Sequence, residues 1–216
     1  MNYRNIIYKA TNVLQKNQIQ TAKIDAELLL SISLNSSREN ILLNLESKLN
    51  QLDSVIGDGD HGSTLLKGLS AIPNSELPPE KAFKAETGGA SGSLFSILIG
   101  AIDKGIENSS NFGEFLTNAS NRISMIGEAK EGDKTMLDAL IPAAKASLNN
   151  PKNSLEEASL ASREGAKRTV KMPAKKGRAK YVENAGIGHM DPGAFSTSEI
   201  ISFVCNYIRI ENEKTL

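Results

Sequence analysis

The sequence predicts an all-α protein, and three observations carry that expectation. Apolar residues recur at helical spacing along nearly the whole chain. No stretch alternates apolar and polar residues with β-branched enrichment, as a half-buried strand would. Glycine- and proline-marked breaks divide the periodic segments into helix-sized lengths.

Taken in order, Tyr3, Ile6, Ile7, Ala10, Val13 and Leu14 mark a first helix, and Ile24, Leu28, Leu29 and Ile32 a second. A third carries Ile41, Leu42, Leu45, Leu49, Leu52 and Ile56, and opens on the capping-box spacing of Ser36 and Glu39. Apolar residues resume at Leu65, Leu66, Leu69 and Ile72, and Pro73, Pro78 and Pro79 then read as a break. Further helices are expected over 94–106, 112–126 and 136–148, and over 154–172 behind a second capping-box pair, Ser154 and Glu157. A last one covers 196–210. There is no internal repeat and no low-complexity segment.

At 216 residues the chain can bury a full core, in one domain or in one domain with a small appendage. Lys plus Arg equals Asp plus Glu, 25 of each, so overall charge makes no case for nucleic acid or an anionic membrane. Cys205 is the sole cysteine, which excludes a disulfide framework and a cysteine metal site and fits a reducing cytosol. The N-terminus lacks a basic-then-apolar signal pattern, and no apolar run approaches membrane-spanning length. A soluble, cytoplasmic protein is expected.

Chemistry concentrates first in residues 52–62, where Asp53, Asp58, Asp60 and His61 are interleaved with Gly57, Gly59 and Gly62. The stretch joins two helical series, so the glycines let the chain fold back and aim the acids at one point. Three carboxylates aimed together repel unless a cation lies among them, and oxygen-only ligands favour Mg²⁺ or Ca²⁺. Gly57, Gly59 and Gly62 match Gly-x-Gly-x-x-Gly, but no strand precedes them and the acids would repel a pyrophosphate, so a dinucleotide fingerprint is excluded. An EF-hand loop from Asp58 would need Gly and Glu where Ser63 and Leu69 stand. A solvated acidic turn is the remaining alternative.

Three more glycine-marked turns follow. Gly88-Gly89-Ala90-Ser91-Gly92 opens a helix with small residues, which leaves backbone N–H groups free for a phosphate; flexible turns have the same composition. Gly127 to Asp138 holds Gly132-Asp133-Lys134-Thr135-Met136, with Thr135 as a cap and Met136 as either core or the wall of a base pocket. The fourth, 172–194, holds Lys175, Lys176, Gly177, Arg178 and Lys180, then His189 and Asp191 in a Pro/Gly turn. A basic run in isolation is a solvated face. Both histidines of the chain lie within two residues of an acid in a glycine-rich turn, His61 after Asp60 and His189 before Asp191. Acids for a metal, N–H groups for phosphate and cations for its charge are what a Mg-nucleotide phosphotransferase requires.

With those motifs in order, residues 52–210 resemble the nucleotide-binding subunit of dihydroxyacetone kinases, especially the phosphotransferase-system type, and the matching domain of the ATP-dependent enzymes. The resemblance rests on the run from Ile56 to Gly62, Gly88 to Gly92, Gly132 to Met136, Lys176 to Tyr181 and Gly188 to Ala194. It implies a barrel of antiparallel helices, preceded here by a small helical segment, with the nucleotide at one end. It implies that Asp53, Asp58 and Asp60 hold two Mg²⁺ ions on the diphosphate of ADP or ATP. His61, Gly62, Ser63 and Thr64 would line the phosphates, joined by Ala90 and Ser91; Gly127 and Met136 would flank the adenine. Arg178 and the turn Asp191, Pro192 and Gly193 would close the site, with His61 and Arg178 in the catalytic positions.

The same resemblance implies partners. In the phosphotransferase-system type, bound ADP is recharged by a phosphocarrier protein and passes the phosphoryl group to dihydroxyacetone held on a histidine of a substrate-binding subunit. No segment here resembles that subunit, and a homodimer or hetero-oligomer is expected. Residues 1–50 differ in character: the stretches from Thr21 to Ser31 and from Ser37 to Leu43 resemble the N-terminal helical domain of release-factor glutamine methyltransferases, without that family's catalytic domain. The expected division is 1–50 and 51–216. The join falls within 45–52, replacing the kinase family's first helix, and the Pro73 to Gly88 stretch is shorter than the family's by roughly two helical turns.

Overall fold

The computed structural model describes the backbone of residues 38–214 and the side chains of residues 46–212. The chain divides into two compact units, Met1–Lys48 and Leu49–Leu216. The expected helices at 3–14 and 24–32, the Ser36 cap and most of the methyltransferase-like segment lie outside the described residues. Those described contain no strand.

Helix α1 (Arg38–Ile56) runs into the acidic turn, and α2 (His61–Ala71) leaves it. Then come α3 (Pro79–Glu86), α4 (Gly89–Glu107), α5 (Phe112–Gly127), α6 (Leu137–Asn149), α7 (Ser154–Arg168) and α8 (Pro192–Lys214). From α2 onward each helix packs on the next, and α8 also packs on α6 and α4. The short links between α3 and α7 turn the chain back each time, so neighbours are antiparallel. A bond from His61 on α2 to Ser196 on α8 joins the first and last staves, giving an antiparallel helical barrel.

The core fills the barrel: Phe83, Leu98, Phe112, Leu116, Ile123, Leu137, Leu140 and Ile201 are all sealed from solvent, each worth about 1.5–3 kcal/mol of burial. Where α6 and α7 cross, a Cβ on Gly165 would run into the Asp138 carbonyl, so the two backbones approach as only glycine allows. No helix among the described residues is long and apolar enough to cross a membrane.

Three boundaries differ from the sequence reading. The Pro73–Pro79 break contains the start of α3: Pro79 occupies the first turn, where its missing N–H costs nothing, and Ala82 and Phe83 anchor the short helix in the core. Helix α4 begins at Gly89, five residues before the first large apolar residue. Helix α8 begins at Pro192, behind an Asp191 cap. The capping box at Ser154 does not form; Asn153 holds the cap position without a side-chain bond, and Glu157 accepts from Asn150 instead.

Candidate functional site

The acidic turn is held by its own side chains. Asp53, on the last turn of α1 and 8% exposed, turns Oδ2 inward to accept from the N–H groups of Gly59 (2.9 Å), Asp60 (3.1 Å) and His61 (3.3 Å). One turn earlier, Asn50 Oδ1 accepts from the N–H groups of Gly62 (2.7 Å) and Ser63 (3.1 Å), and its Nδ2 donates to Ser63 Oγ at 2.8 Å. The chain reverses at Gly59, whose φ of +78° suits glycine. As a result one oxygen from each of Asp53, Asp58 and Asp60 lies within 4.8 Å of the other two. Asp58 and Asp60 are exposed and Asp53 buried. Hard-cation chemistry fits this set: all donors are carboxylate oxygens, and the ligands of a six-coordinate Mg²⁺ lie about 4 Å apart across the ion.

The N–H groups expected to line phosphates at the start of α2 are therefore engaged by Asn50, Asp53 and, for Thr64, the Asp60 carbonyl. The start of α4 differs. Its cap, Gly88, makes no side-chain bond, Ala90 and Ser91 are exposed, and a Cβ on Gly88 or Gly89 would meet nothing within 4 Å. The two helix starts share one end of the barrel, since the His61 ring lies 5.4 Å from that of Phe95 on α4.

His61 is buried, and its Nε2 lies 2.9 Å from Ser196 Oγ. Ser196 Oγ also lies within reach of the Pro192 and Gly193 carbonyls (3.0 and 3.1 Å), so its hydroxyl links the imidazole to the start of α8. Burial lowers the His61 pKa below its ordinary value, with Asp53, Asp60 and the Pro192 carbonyl pulling it back. The ring thus ties the acidic turn to the Asp191–Pro192–Gly193 turn.

The third turn is built from Asp138, which accepts from Gly132 N–H (2.6 Å) and Thr135 N–H (2.8 Å). Thr135 Oγ1 accepts from Leu137 N–H at 3.2 Å, so it does cap α6. Burial raises the Asp138 pKa, and these amides oppose the rise. Met136 is 5% exposed and belongs to the main core, with the Gly193 backbone against it. Gly127 ends α5 beside Leu94.

The fourth loop folds back over the acidic turn. Ala174, Ala179 and Val182 pack on Ile56, and Gly186 sits against the same side chain. Arg178 Nη1 pairs with Asp58 Oδ2, bringing a guanidinium to the acid cluster. Lys175 pairs with Asp133 at 3.4 Å, and Lys176 with Glu128 at 4.0 Å. Lys134 is 1% exposed and its ammonium donates to loop carbonyls. Asp191 caps α8 through Ala194 N–H (2.7 Å). Burial raises its pKa to about 7; the Ala194 N–H and Lys134 oppose the shift, while Asp138 and Asp53 add to it.

The structure therefore brings Asp53, Asp58, Asp60, His61, Arg178 and the 191–193 turn into one connected network. Ser63 joins it through Asn50, and Met136 through Gly193; Ala90, Ser91 and Gly127 stand on the α4 side of the same barrel end. Sequence reasoning passed over Asn50, Asp138 and Ser196. Only Asn50 carried a signal, lying three residues before Asp53 and so on the same helix face.

The DAK2 domain family matches residues 79–206. A dihydroxyacetone kinase of Citrobacter freundii is 37% identical over 169 residues, covering 71% of this chain and 30% of that protein. The ADP-binding subunit DhaL of PEP-dependent dihydroxyacetone kinase 1 from Listeria innocua is 32% identical, over 69% of this chain and 81% of its own length. The crystal structure of the C. freundii kinase with AMP-PNP and Mg²⁺ superposes with a TM-score of 0.58 at 33% identity, over 77% of this chain and 31% of the other. The chain thus spans about a third of the Citrobacter enzyme and most of the Listeria subunit. On matched length, identity and shared fold together, this chain belongs to the DAK2 domain family.

Proposed function

We propose that this chain is the nucleotide-binding part of a dihydroxyacetone kinase: it holds Mg²⁺ with ADP or ATP and passes the phosphoryl group to dihydroxyacetone, or a related small hydroxyketone, on a substrate-binding partner subunit. Bound ADP recharged by a phosphocarrier protein is the route we favour, in line with the likeness to an ADP-binding subunit. One observation carries the reading: Asp53, Asp58 and Asp60 converge to within 4.8 Å, and Arg178 reaches the same cluster from a loop 120 residues further along the sequence.

Asp53, Asp58 and Asp60 would hold the metal, two ions in all, which supplies charge neutralisation at the phosphoryl oxygens. Asp53 is preorganised for this, because three backbone N–H groups fix one oxygen and leave Oδ1 to the ion. Asp58, paired with Arg178, brings that guanidinium to the phosphate, where it stabilises charge as the group moves. His61 holds the acidic turn against the 191–193 turn. The uncapped N–H groups at Gly89–Ser91 offer a second phosphate contact. Gly127 and Met136 would bound the adenine.

A thermal-shift titration tests the reading. At a hundred times its Kd, Mg-ADP should add about 2.7 kcal/mol of stability. Asp58→Asn should abolish most of that gain; an equal shift in wild type and variant, or none in wild type, would contradict the proposal. A second reading, a nucleotide-binding module that no longer transfers, draws on the eight-residue α3, a short stave for the barrel. Turnover with an added substrate-binding subunit and phosphoryl donor would exclude it.

A further inference from the structure

The side chain of Lys134 is sealed inside the protein, at 1% exposure, with no carboxylate among its hydrogen-bond partners. Its Nζ lies within reach of four backbone carbonyls: Thr169 (3.0 Å), Met172 (3.2 Å), Gly186 (2.6 Å) and His189 (2.6 Å). Two belong to the chain entering the Arg178 loop and two to the chain leaving it. An ammonium shared among four carbonyls closes the loop at its base as a crosslink would. Its three protons leave no donor unused, and each bond is charge-assisted.

The clamp acts alongside the loop's packing on Ile56, its Lys175–Asp133 pair and the backbone bonds that follow. Ala174 N–H donates to the Ala185 carbonyl (2.8 Å), Gly188 N–H to Val170 (2.7 Å) and Lys175 N–H to Asp133 (3.1 Å). Lys134 adopts a left-handed backbone conformation, φ +61°, which a residue with a long side chain tolerates only when its surroundings hold it there. The loop so closed presents Arg178 to Asp58.

We propose that Lys134 is a positioning residue: by clamping both ends of the 169–189 loop it sets where the Arg178 guanidinium meets the acid cluster and the nucleotide phosphates. This rests on the function proposed above for its effect on binding, though the clamp itself does not.

Two measurements on the full chain separate those layers. Amide hydrogen exchange without ligand compares wild type with Lys134→Met and the milder Lys134→Gln, which keeps two donors. Exchange should quicken at Ala174, Lys175 and Gly188 while α4 and α5 keep their protection. Loss of protection across the whole barrel, or unfolding of both variants, would make Lys134 a general stability residue and overturn the proposal. Unchanged loop exchange would overturn it too.

The second measurement is a cycle of Mg-ADP affinities for wild type, Lys134→Gln, Arg178→Ala and the double variant. Losing a charge-assisted phosphate contact should weaken binding about tenfold in Arg178→Ala, and Lys134→Gln should show a similar loss. The double variant should be no weaker than Arg178→Ala alone, because one residue acts through the other. Losses that multiply would overturn the positioning role. If wild type does not bind Mg-ADP but its loop loosens on substitution, the functional reading fails and the clamp stands.

Discussion

Asp191 makes a pH-dependent contribution to stability that can be isolated by one substitution. Its carboxylate caps α8, its own N–H donates to Thr169 Oγ1 at 3.0 Å, and burial lifts its pKa from 3.8 to about 7. A carboxyl whose pKa is higher folded than unfolded holds its proton more tightly in the native state. Stability from this group is therefore full below pH 3.8, falls as pH rises, and levels off above 7. Between pH 5 and pH 8 the loss amounts to about 3 kcal/mol. Asp191→Asn keeps a side-chain oxygen for Ala194 N–H, and Asn caps helices as well as Asp does, but it cannot ionise. Urea unfolding at pH 5, 6.5 and 8 in chelator should show wild type losing about 3 kcal/mol more than the variant over that range. His61 titrates in the opposite sense, its lowered pKa adding stability as pH rises, and this cancels in the comparison. Parallel pH profiles in the two proteins would refute the burial account of Asp191.

Asn50→Ala removes the acceptor for two α2 amides and should cost about 1–2 kcal/mol by urea unfolding, with weaker Mg-ADP binding as the acidic turn loosens. An unchanged midpoint would show that water replaces Asn50 at no cost. Gly165→Ala drives a methyl into the Asp138 carbonyl where α6 and α7 cross, and overpacking of that kind should lower stability by about 1–3 kcal/mol. A neutral result would mean the helices separate freely.

The long helices were legible because their buried residues repeat. In α5, Phe112, Leu116, Ala119 and Ile123 all face the core at helical spacing, and the expected end at 126 is one residue short of the observed one. Helix α3 was hidden because eight residues bury only Ala82 and Phe83, too few to show a period, and three prolines suggested a break. The starts of α4 and α8 were missed for a related reason: their first turns are built from small residues, or from Pro and Gly, which read as turn from composition alone.

The acidic turn was legible because charge density at a helix joint has few structural uses. What holds it was not. Asn50 looks like any polar residue on a helix face until its bonds to Gly62 and Ser63 are seen. Lys134 carries no mark of burial in the sequence, since the carbonyls that accept its charge lie 35 to 55 residues away. Ser196 meets His61 across 135 residues. Met136 fitted both core and base-pocket readings from its type alone; its side chain packs with the main core, a position that serves either reading.

In the function proposed here, Asp53, Asp58 and Asp60 gather divalent ions that anchor a diphosphate beneath Arg178. Mn²⁺ in place of Mg²⁺ gives a direct readout by electron–nuclear double resonance. Protein-bound Mn²⁺ should show ³¹P coupling once ADP is added, and Asp58→Asn should lose that signal. Mn²⁺ that binds at the acids without phosphorus coupling, or a coupling untouched by Asp58→Asn, would contradict it.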